Sequence, residues 1–421
     1  MLYEHQKKII AEDKLWCGLF LGTGASKTRT ALELADDDIL VICPKQQKLD
    51  RTWERELEKW GIKKSITVAS KEEFRRDWQL FRKYKTLIID EVHCNLGVSP
   101  EMRQRRNIQV PKTSQIFEAT LNYVRKNPPH RFYLCSATPV TKPMHMWAIA
   151  TLLGEKWDFL RFRDKYYFER RIGQRRIFIP RQDSATRERL IELVKKFGYT
   201  GGLNDFFDVP EQMHKIVYID LTDGQKEGIR EIANSEADPL VRRARRRTIE
   251  NGVLYGKKID SISEKDEYIT RETTIFPSKK IDYIIERANE FPKLLIFANY
   301  TAQINEIAKT LRDEGFTVST LTGATKDRST VISDAEKSDK HIVIAQSSIS
   351  SGYELPSFPC VIYASKSYRF VDYEQSLGRV LRSNKLKKNL YIHLIVKGVD
   401  EECHKAIMSG EDFQEKLTLN V

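Results

Sequence analysis

The segment Gly22-Thr23-Gly24-Ala25-Ser26-Lys27-Thr28 has residue types that can hold a nucleoside triphosphate. Small side chains let backbone N–H groups converge on phosphate oxygens, and a helix starting there adds the positive end of its dipole. Lys27 would reach the β- and γ-phosphates, and the Thr28 hydroxyl would ligate Mg²⁺. An apolar run, Leu15 to Leu21, precedes the loop, and a helical pattern, Thr28 to Leu34, follows it. This strand–loop–helix context distinguishes the segment from a plain glycine-rich turn. Glycine usually stands immediately before such a lysine. Here Ser26 does, and its Cβ would crowd the β-phosphate or strain the backbone. Serine is small, so tolerance is expected.

Leu87-Ile88-Ile89-Asp90-Glu91-Val92-His93 places two carboxylates at the C-terminal end of an apolar strand, the end where open α/β sheets bind ligands. Asp90 would hold Mg²⁺ through water, and Glu91 would orient and deprotonate the attacking water. Ser136-Ala137-Thr138-Pro139 follows the next apolar run. It reads as a helix-capping turn or as hydroxyls that link nucleotide state to a second domain. Far along the chain, Gln375-Ser376-Leu377-Gly378-Arg379-Val380-Leu381-Arg382 sets Arg379 and Arg382 on one helical face. Alone this is a solvated basic helix, but guanidinium groups can also stabilise charge on a transferring phosphoryl group. One half of the chain thus carries metal and water chemistry, and the other carries arginines. ATP is expected in a cleft between them.

The elements that must position these residues fall into two alternating strand–helix stretches. The first has apolar runs at 39–42, 65–68, 86–89 and 132–134, with helical patterns at 28–34 and 49–60. The second has runs at 294–297, 317–321, 341–344, 360–363 and 390–396, with an amphipathic helix at 302–314. Apolar strands without polar alternation predict parallel sheets covered on both faces. Residues 1–150 and 276–421 are therefore expected as two α/β lobes. Residues 151–275, rich in arginine and aromatics, are expected as a helical basic insertion between them.

The 421 residues carry 71 Lys and Arg against 59 Asp and Glu, a net charge of +12, and 40% are hydrophobic. At roughly 100–200 residues per domain this gives two or three domains. The apolar share excludes a disordered chain, and no apolar run approaches the ~20 residues of a membrane span. The N-terminus lacks the pattern of a secretory signal. Six cysteines are scattered with no CxxC pair, which argues against structural zinc or a disulfide framework. A cytoplasmic location is expected, the host cytoplasm if the source is viral. The basic balance favours nucleic acid as partner.

The order of these motifs resembles that of the superfamily 2 helicases and translocases. Gln6 is similar to the adenine-reading glutamine, and Gly24, Lys27 and Thr28 to motif I. Asp90-Glu91-Val92-His93 is similar to motif II in a DExH form, Ser136-Ala137-Thr138 to motif III, and Gln375, Gly378, Arg379 and Arg382 to motif VI. Cys43-Pro44-Lys45 resembles motif Ia, Thr322-Gly323 a motif IV-region loop, and Gly352-Tyr353-Glu354-Leu355 motif V, with Glu354 where Asp or Asn is usual. Trp53, Trp60, Asp208-Val209-Pro210 and Gly398-Val399-Asp400-Glu401 resemble the SWI/SNF-like group.

The resemblance implies two RecA-like lobes in tandem, the first binding ATP with Mg²⁺. It implies catalytic roles for Lys27, Asp90, Glu91, Gln375, Arg379 and Arg382. Gln6, the loop 22–28 and Gly352 would bind nucleotide, with Thr28 and Asp90 on the metal. His93 would couple motif II to Ser136 and Thr138. Pro44, Lys45, Thr322 and Gly323 would contact nucleic-acid backbone.

The expected protein is a compact, phage-type motor without room for a flanking recognition domain, moving on duplex or branched DNA. Branch migration or fork remodelling would suit it. A monomer suffices, because one chain holds both halves of the ATP site. Targeting would come from DNA shape or another protein. Arg105 and Arg106, and Arg243 and Arg246, lie in basic clusters that read either as solvated surface or as an extended track. The run Tyr166-Tyr167-Phe168 reads as packing or as base stacking. Two alternatives stand: an RNA helicase, and an ATP-gated nucleic-acid-binding module whose turnover Ser26 has impaired.

Overall fold

The computed structural model describes residues 2–105, 108–172, 175–261, 268–349, 353–381 and 388–410. Arg106, Gly352 and Arg382 lie outside the described residues. The chain forms two compact units, residues 1–208 and 209–421.

The first unit is built on a six-stranded parallel sheet. Its spatial order is Gly198–Gly201, Trp16–Leu21, Arg131–Cys135, Thr86–Ile89, Ile39–Cys43 and Ile66–Ser70. The middle strands read as continuous apolar runs because both faces are covered. Leu40 and Ile42 pack into one core, while Ile39, Val41 and Cys43 pack into the other. This follows from the two-residue period of a strand. Because all the strands are parallel, the residues after Leu21, Cys43, Ile89 and Cys135 emerge along one edge of the sheet.

The second unit repeats the plan with Met213–Tyr218, Leu390–Ile395, Cys360–Tyr363, Lys293–Ala298, His341–Gln346 and Val318–Leu321, again all parallel. Leu295 and Phe297 face one core, and Leu294, Ile296 and Ala298 face the other. The expected architecture of two parallel-sheet lobes in tandem is therefore what the chain adopts.

Residues 151–275 divide between the two units instead of standing apart. Gly198–Gly201 is an edge strand of the first sheet, and Met213–Tyr218 is an edge strand of the second. The segment also holds two antiparallel hairpins, Tyr167–Ile172 with Arg175–Pro180 and Val253–Ser261 with Tyr268–Ile275. Gly198 pairs with Gly18, and a Cβ on Gly198 would fall 2.5 Å from the Gly18 carbonyl oxygen. Two glycines thus let these backbones meet where the sequence shows no strand pattern. The helical pattern at 49–60 is two helices, Lys45–Leu49 and Thr52–Trp60, broken where Arg51 turns left-handed at φ 51°. No helix among the described residues is long and apolar enough to cross a membrane.

Candidate nucleotide-binding site

In the first unit, Trp16–Leu21 runs into the loop, and the helix Lys27–Leu34 begins directly after it. Gly22 N donates to Gly201 O at 2.7 Å, so the edge strand holds the start of the loop. Gly24 (φ 81°) and Ser26 (φ 58°) both lie in the left-handed region. The serine that departs from the usual glycine therefore sits where a Cβ costs about 1–2 kcal/mol. Lys27 Nζ donates to the carbonyls of Leu21 and Gly22 at 2.8 and 3.1 Å, which folds it over the loop. Thr28 is half-buried on the first turn.

Gln6 is wholly buried. Its Nε2 donates to Thr30 Oγ1 at 3.2 Å, and its Oε1 accepts from Tyr3 N at 3.0 Å. Thr30 Oγ1 in turn donates to Ser26 O. Gln6 is thus tied to the loop by a hydrogen-bonded path, with its amide engaged inside the lobe. His5 Nε2 lies 3.3 Å from Ala25 O, and its ring stacks on Phe206 at 4.2 Å.

Asp90 and Glu91 follow Thr86–Ile89 at the same edge. Asp90 is buried, and its carboxyl is pushed up to about 6 by burial first and then by the Glu91 charge, with Lys27 opposing. A desolvated carboxyl beside a second carboxylate is favourable for a cation. Together with the Thr28 hydroxyl, this all-oxygen donor chemistry fits Mg²⁺. Among the described residues, no group of three or more His, Cys, Asp or Glu is placed to hold a metal ion.

Glu91 is left-handed at φ 46°, and its carbonyl accepts from Lys71 Nζ at 2.8 Å. Lys71 opens a helix whose Ser70 and Glu73 form reciprocal capping hydrogen bonds. His93 Nδ1 lies 3.1 Å from Ser136 Oγ and 3.4 Å from Glu91 Oε2. Ser136 Oγ also accepts from Thr138 N at 3.1 Å. Buried His145 is lowered to about 3 by burial and then by the nearby His93. Sequence reasoning passed over His5, Lys71 and His145. Only Lys71 had a local signal, the Ser70-x-x-Glu73 capping pattern.

The second unit places Gln375 on the helix Phe370–Leu377 and Arg379 just after it. Both are buried. Arg379 Nε donates to Gln375 O at 2.8 Å and Nη1 to Tyr353 O at 2.6 Å, so its own lobe fixes the guanidinium. Thr322 Oγ1 accepts from Ala324 N, and space beside Gly323 is open. In the first unit Pro44 caps the helix that Lys45 begins, and Lys45 is exposed.

The basic clusters differ in setting. Arg105 is exposed, 3.7 Å from Glu118. Arg243 pairs with Glu402, and Arg246 Nε donates to Glu250 Oε1 at 2.9 Å. Arg247 is wholly buried, donating to Lys366 O at 2.6 Å beside the Tyr368 ring. The run Arg242–Arg247 therefore docks the helix Pro239–Glu250 onto the helix Val399–Met408. Beneath it Lys280 Nζ donates to Asp400 Oδ2 at 2.9 Å and to Asn251 Oδ1 at 2.7 Å. Tyr166 and Tyr167 are buried, leaving Phe168 as the exposed ring of its run.

Residues 278–384 match the helicase conserved C-terminal domain. A curated relative, the ATP-dependent RNA helicase DBP3 of Yarrowia lipolytica, is 27% identical over 107 residues, 25% of this chain and 20% of the relative. The chain thus matches about a fifth of that protein's length. Among solved structures, S. cerevisiae Dbp5 bound to RNA and ADP BeF3 aligns at TM-score 0.53 and 13% identity, over 98% of this chain and 88% of that one. The Pyrococcus furiosus Hef helicase domain aligns at TM-score 0.51 and 12% identity, over 96% and 97%. A Sulfolobus solfataricus SWI2/SNF2 ATPase core in complex with dsDNA aligns over 97% and 91% at 19% identity with TM-score 0.39. The two matches above 0.5 share the tandem RecA-like fold.

Proposed function

We propose that this chain is a superfamily 2 helicase, a reading supported by the match of residues 278–384 to the helicase conserved C-terminal domain, and that it is a nucleic-acid-dependent ATPase that moves on duplex or branched DNA. The observation that carries the ATPase reading is the shared sheet edge. It gathers Lys27 on its loop, the buried Asp90 with its raised pKa, and the Glu91–His93–Ser136 chain. In this reading Lys27 and the loop amides bind the phosphates, and Thr28 and Asp90 hold Mg²⁺. The metal, when bound, offsets charge on the phosphates. Glu91 orients and deprotonates the attacking water, and its left-handed backbone, held by Lys71, aims the side chain. Gln375, Arg379 and Arg382 act on the charge of the transferring phosphoryl group. His93, Ser136 and Thr138 carry the nucleotide state toward the nucleic acid. Pro44, Lys45, Thr322, Gly323, Arg105 and Arg106 contact backbone phosphates, and Arg243 and Arg246 do so by exchanging their carboxylate partners for phosphates. The DExH form and the SWI/SNF and phage likenesses belong to this reading.

A second reading, an RNA helicase, is favoured by the 107-residue likeness to a relative named as one. A third, an ATP-gated binding module, is favoured by the left-handed Ser26. Steady-state ATP hydrolysis at low salt separates the three, measured alone and with duplex DNA, single-stranded DNA, a four-way junction or RNA, with Lys27→Ala as control. Stimulation by duplex or branched DNA that is lost in the control is expected. Stimulation by RNA alone selects the second reading, and nucleic-acid binding without any turnover selects the third.

A further inference from the structure

The hairpin formed by Tyr167–Ile172 and Arg175–Pro180 has an anchored base and a charged outer part. At the base, the buried Tyr167 side chain accepts from Met144 N at 3.4 Å, and Arg181 N donates to Tyr166 O at 2.9 Å. Ile179 is buried, and Arg163 lies over the Phe178 ring at 4.6 Å. Farther out Arg170, Arg171 and Arg176 are all exposed. Glu169 is the one carboxylate in the two strands, lying 3.5 Å from Arg171 and 3.6 Å from Arg176.

The register decides where these charges point. Arg171 pairs with Arg176, and Arg170 pairs with Ile177. Directly paired residues share a face, and successive residues alternate. Arg171 and Arg176 therefore occupy one face. Arg170 occupies the other, with the exposed Phe168 and Ile177. A ribbon lying along a single strand meets one line of phosphates and needs cations on one face. A ribbon with arginines on both faces suits a position between two phosphate lines. The major groove of B-form DNA, about 12 Å wide, admits a two-stranded ribbon. The A-form RNA groove is deep and too narrow for side chains to read.

We propose that this hairpin is a duplex-DNA contact that enters the major groove, with Arg171 and Arg176 on one backbone and Arg170 on the other. The contact is sequence-independent, because it is made to phosphates. It rests on the reading of the chain as a nucleic-acid motor and adds to that reading which nucleic acid is gripped and by which element.

Binding of the nucleotide-free full chain to duplex DNA, duplex RNA and single-stranded DNA is measured across a salt series. Each phosphate contact contributes about 0.9 to the slope of log affinity against log salt on B-form DNA. The triple variant Arg170→Ala, Arg171→Ala, Arg176→Ala is expected to lower the duplex-DNA slope by about 2–3. It should leave the slopes for duplex RNA and single strands unchanged. Glu169→Gln is expected to tighten duplex-DNA binding, a gain that misfolding does not produce. An unchanged duplex slope in the triple variant overturns the proposal. So does an equal loss on all three ligands, or weaker binding by Glu169→Gln. Turnover is not read in this assay. Hairpin-dependent binding without ATP hydrolysis would sink the ATPase reading alone, and DNA-stimulated hydrolysis with an unchanged slope would sink the hairpin alone.

Discussion

His93 Nδ1 stands 3.1 Å from Ser136 Oγ, joining the turns that follow two neighbouring strands, Thr86–Ile89 and Arg131–Cys135. Glu91 Oε2 is 3.4 Å from the same nitrogen, and Thr138 N donates to the same hydroxyl. The contact chain therefore runs from the acidic turn to the segment after the next strand. Coupling free energies between sites are typically 1–3 kcal/mol. His93→Ala should lower nucleic-acid-stimulated hydrolysis about tenfold at that scale, with ATP affinity within about twofold of the parent. Titrating ATP binding beside the stimulated rate checks this, and equal losses in both would remove His93 from the coupling path.

Asp90 is a pH-sensitive group of the candidate site. Its folded pKa of about 6 lies above the ordinary carboxylate value, mainly through burial and then through Glu91. Between about pH 4 and 6 the unfolded chain has released this proton while the folded chain keeps it, so stability falls as pH rises through that window. Asp90→Asn removes the buried charge. It should raise the metal-free midpoint of thermal unfolding at pH 8 by the equivalent of about 1–3 kcal/mol, with the gain vanishing near pH 4. Turnover should be lost at every pH. A destabilised variant at pH 8 would contradict the burial account.

Ser26 holds φ 58° at the start of the helix Lys27–Leu34. Glycine adopts that conformation without the steric cost, so Ser26→Gly should stabilise the first lobe by about 1 kcal/mol. Denaturant unfolding measures the gain. Turnover in the same variant is expected to match or exceed the parent. Turnover that appears only after the change would identify Ser26 as the lock of an ATP-gated module.

Asp400 is the acceptor at the centre of the second lobe's buried charges, with Lys280 Nζ at 2.9 Å and Arg247 Nε at 3.8 Å. Asp400→Ala leaves two buried cations without that carboxylate and should cost about 3–5 kcal/mol. The exposed pair Lys226–Asp223 makes a control, and Lys226→Ala should change stability by less than about 1 kcal/mol. Chemical denaturation of both variants compares them. Similar small losses would mean that the buried network is compensated elsewhere.

Much of the fold was legible because its signals are local. Apolar runs such as Ile39–Cys43 mark strands covered on both faces, and the spacing of small residues before Lys27 marks a phosphate loop. The acidic pair could be assigned to a strand end, and parallel pairing then brings the ends after Leu21, Ile89 and Cys135 to one edge. The helix over Arg242–Arg247 was equally legible, but the burial of Arg247 was not. Asp400 lies some 150 positions away, and a cation's partner is visible only once the chain has brought it close.

The sequence by itself determined which residues can bind phosphate, metal and water, because composition and short-range spacing set those chemistries. Tertiary structure alone decided that Gly198–Gly201 closes the first sheet against Gly18, that Gln6 spends its amide on Thr30 and Tyr3, and that Arg171 and Arg176 share a face of one ribbon. Each of these depends on a strand register or on a contact between distant residues. Register is a property of the pair, and neither partner's local sequence encodes it.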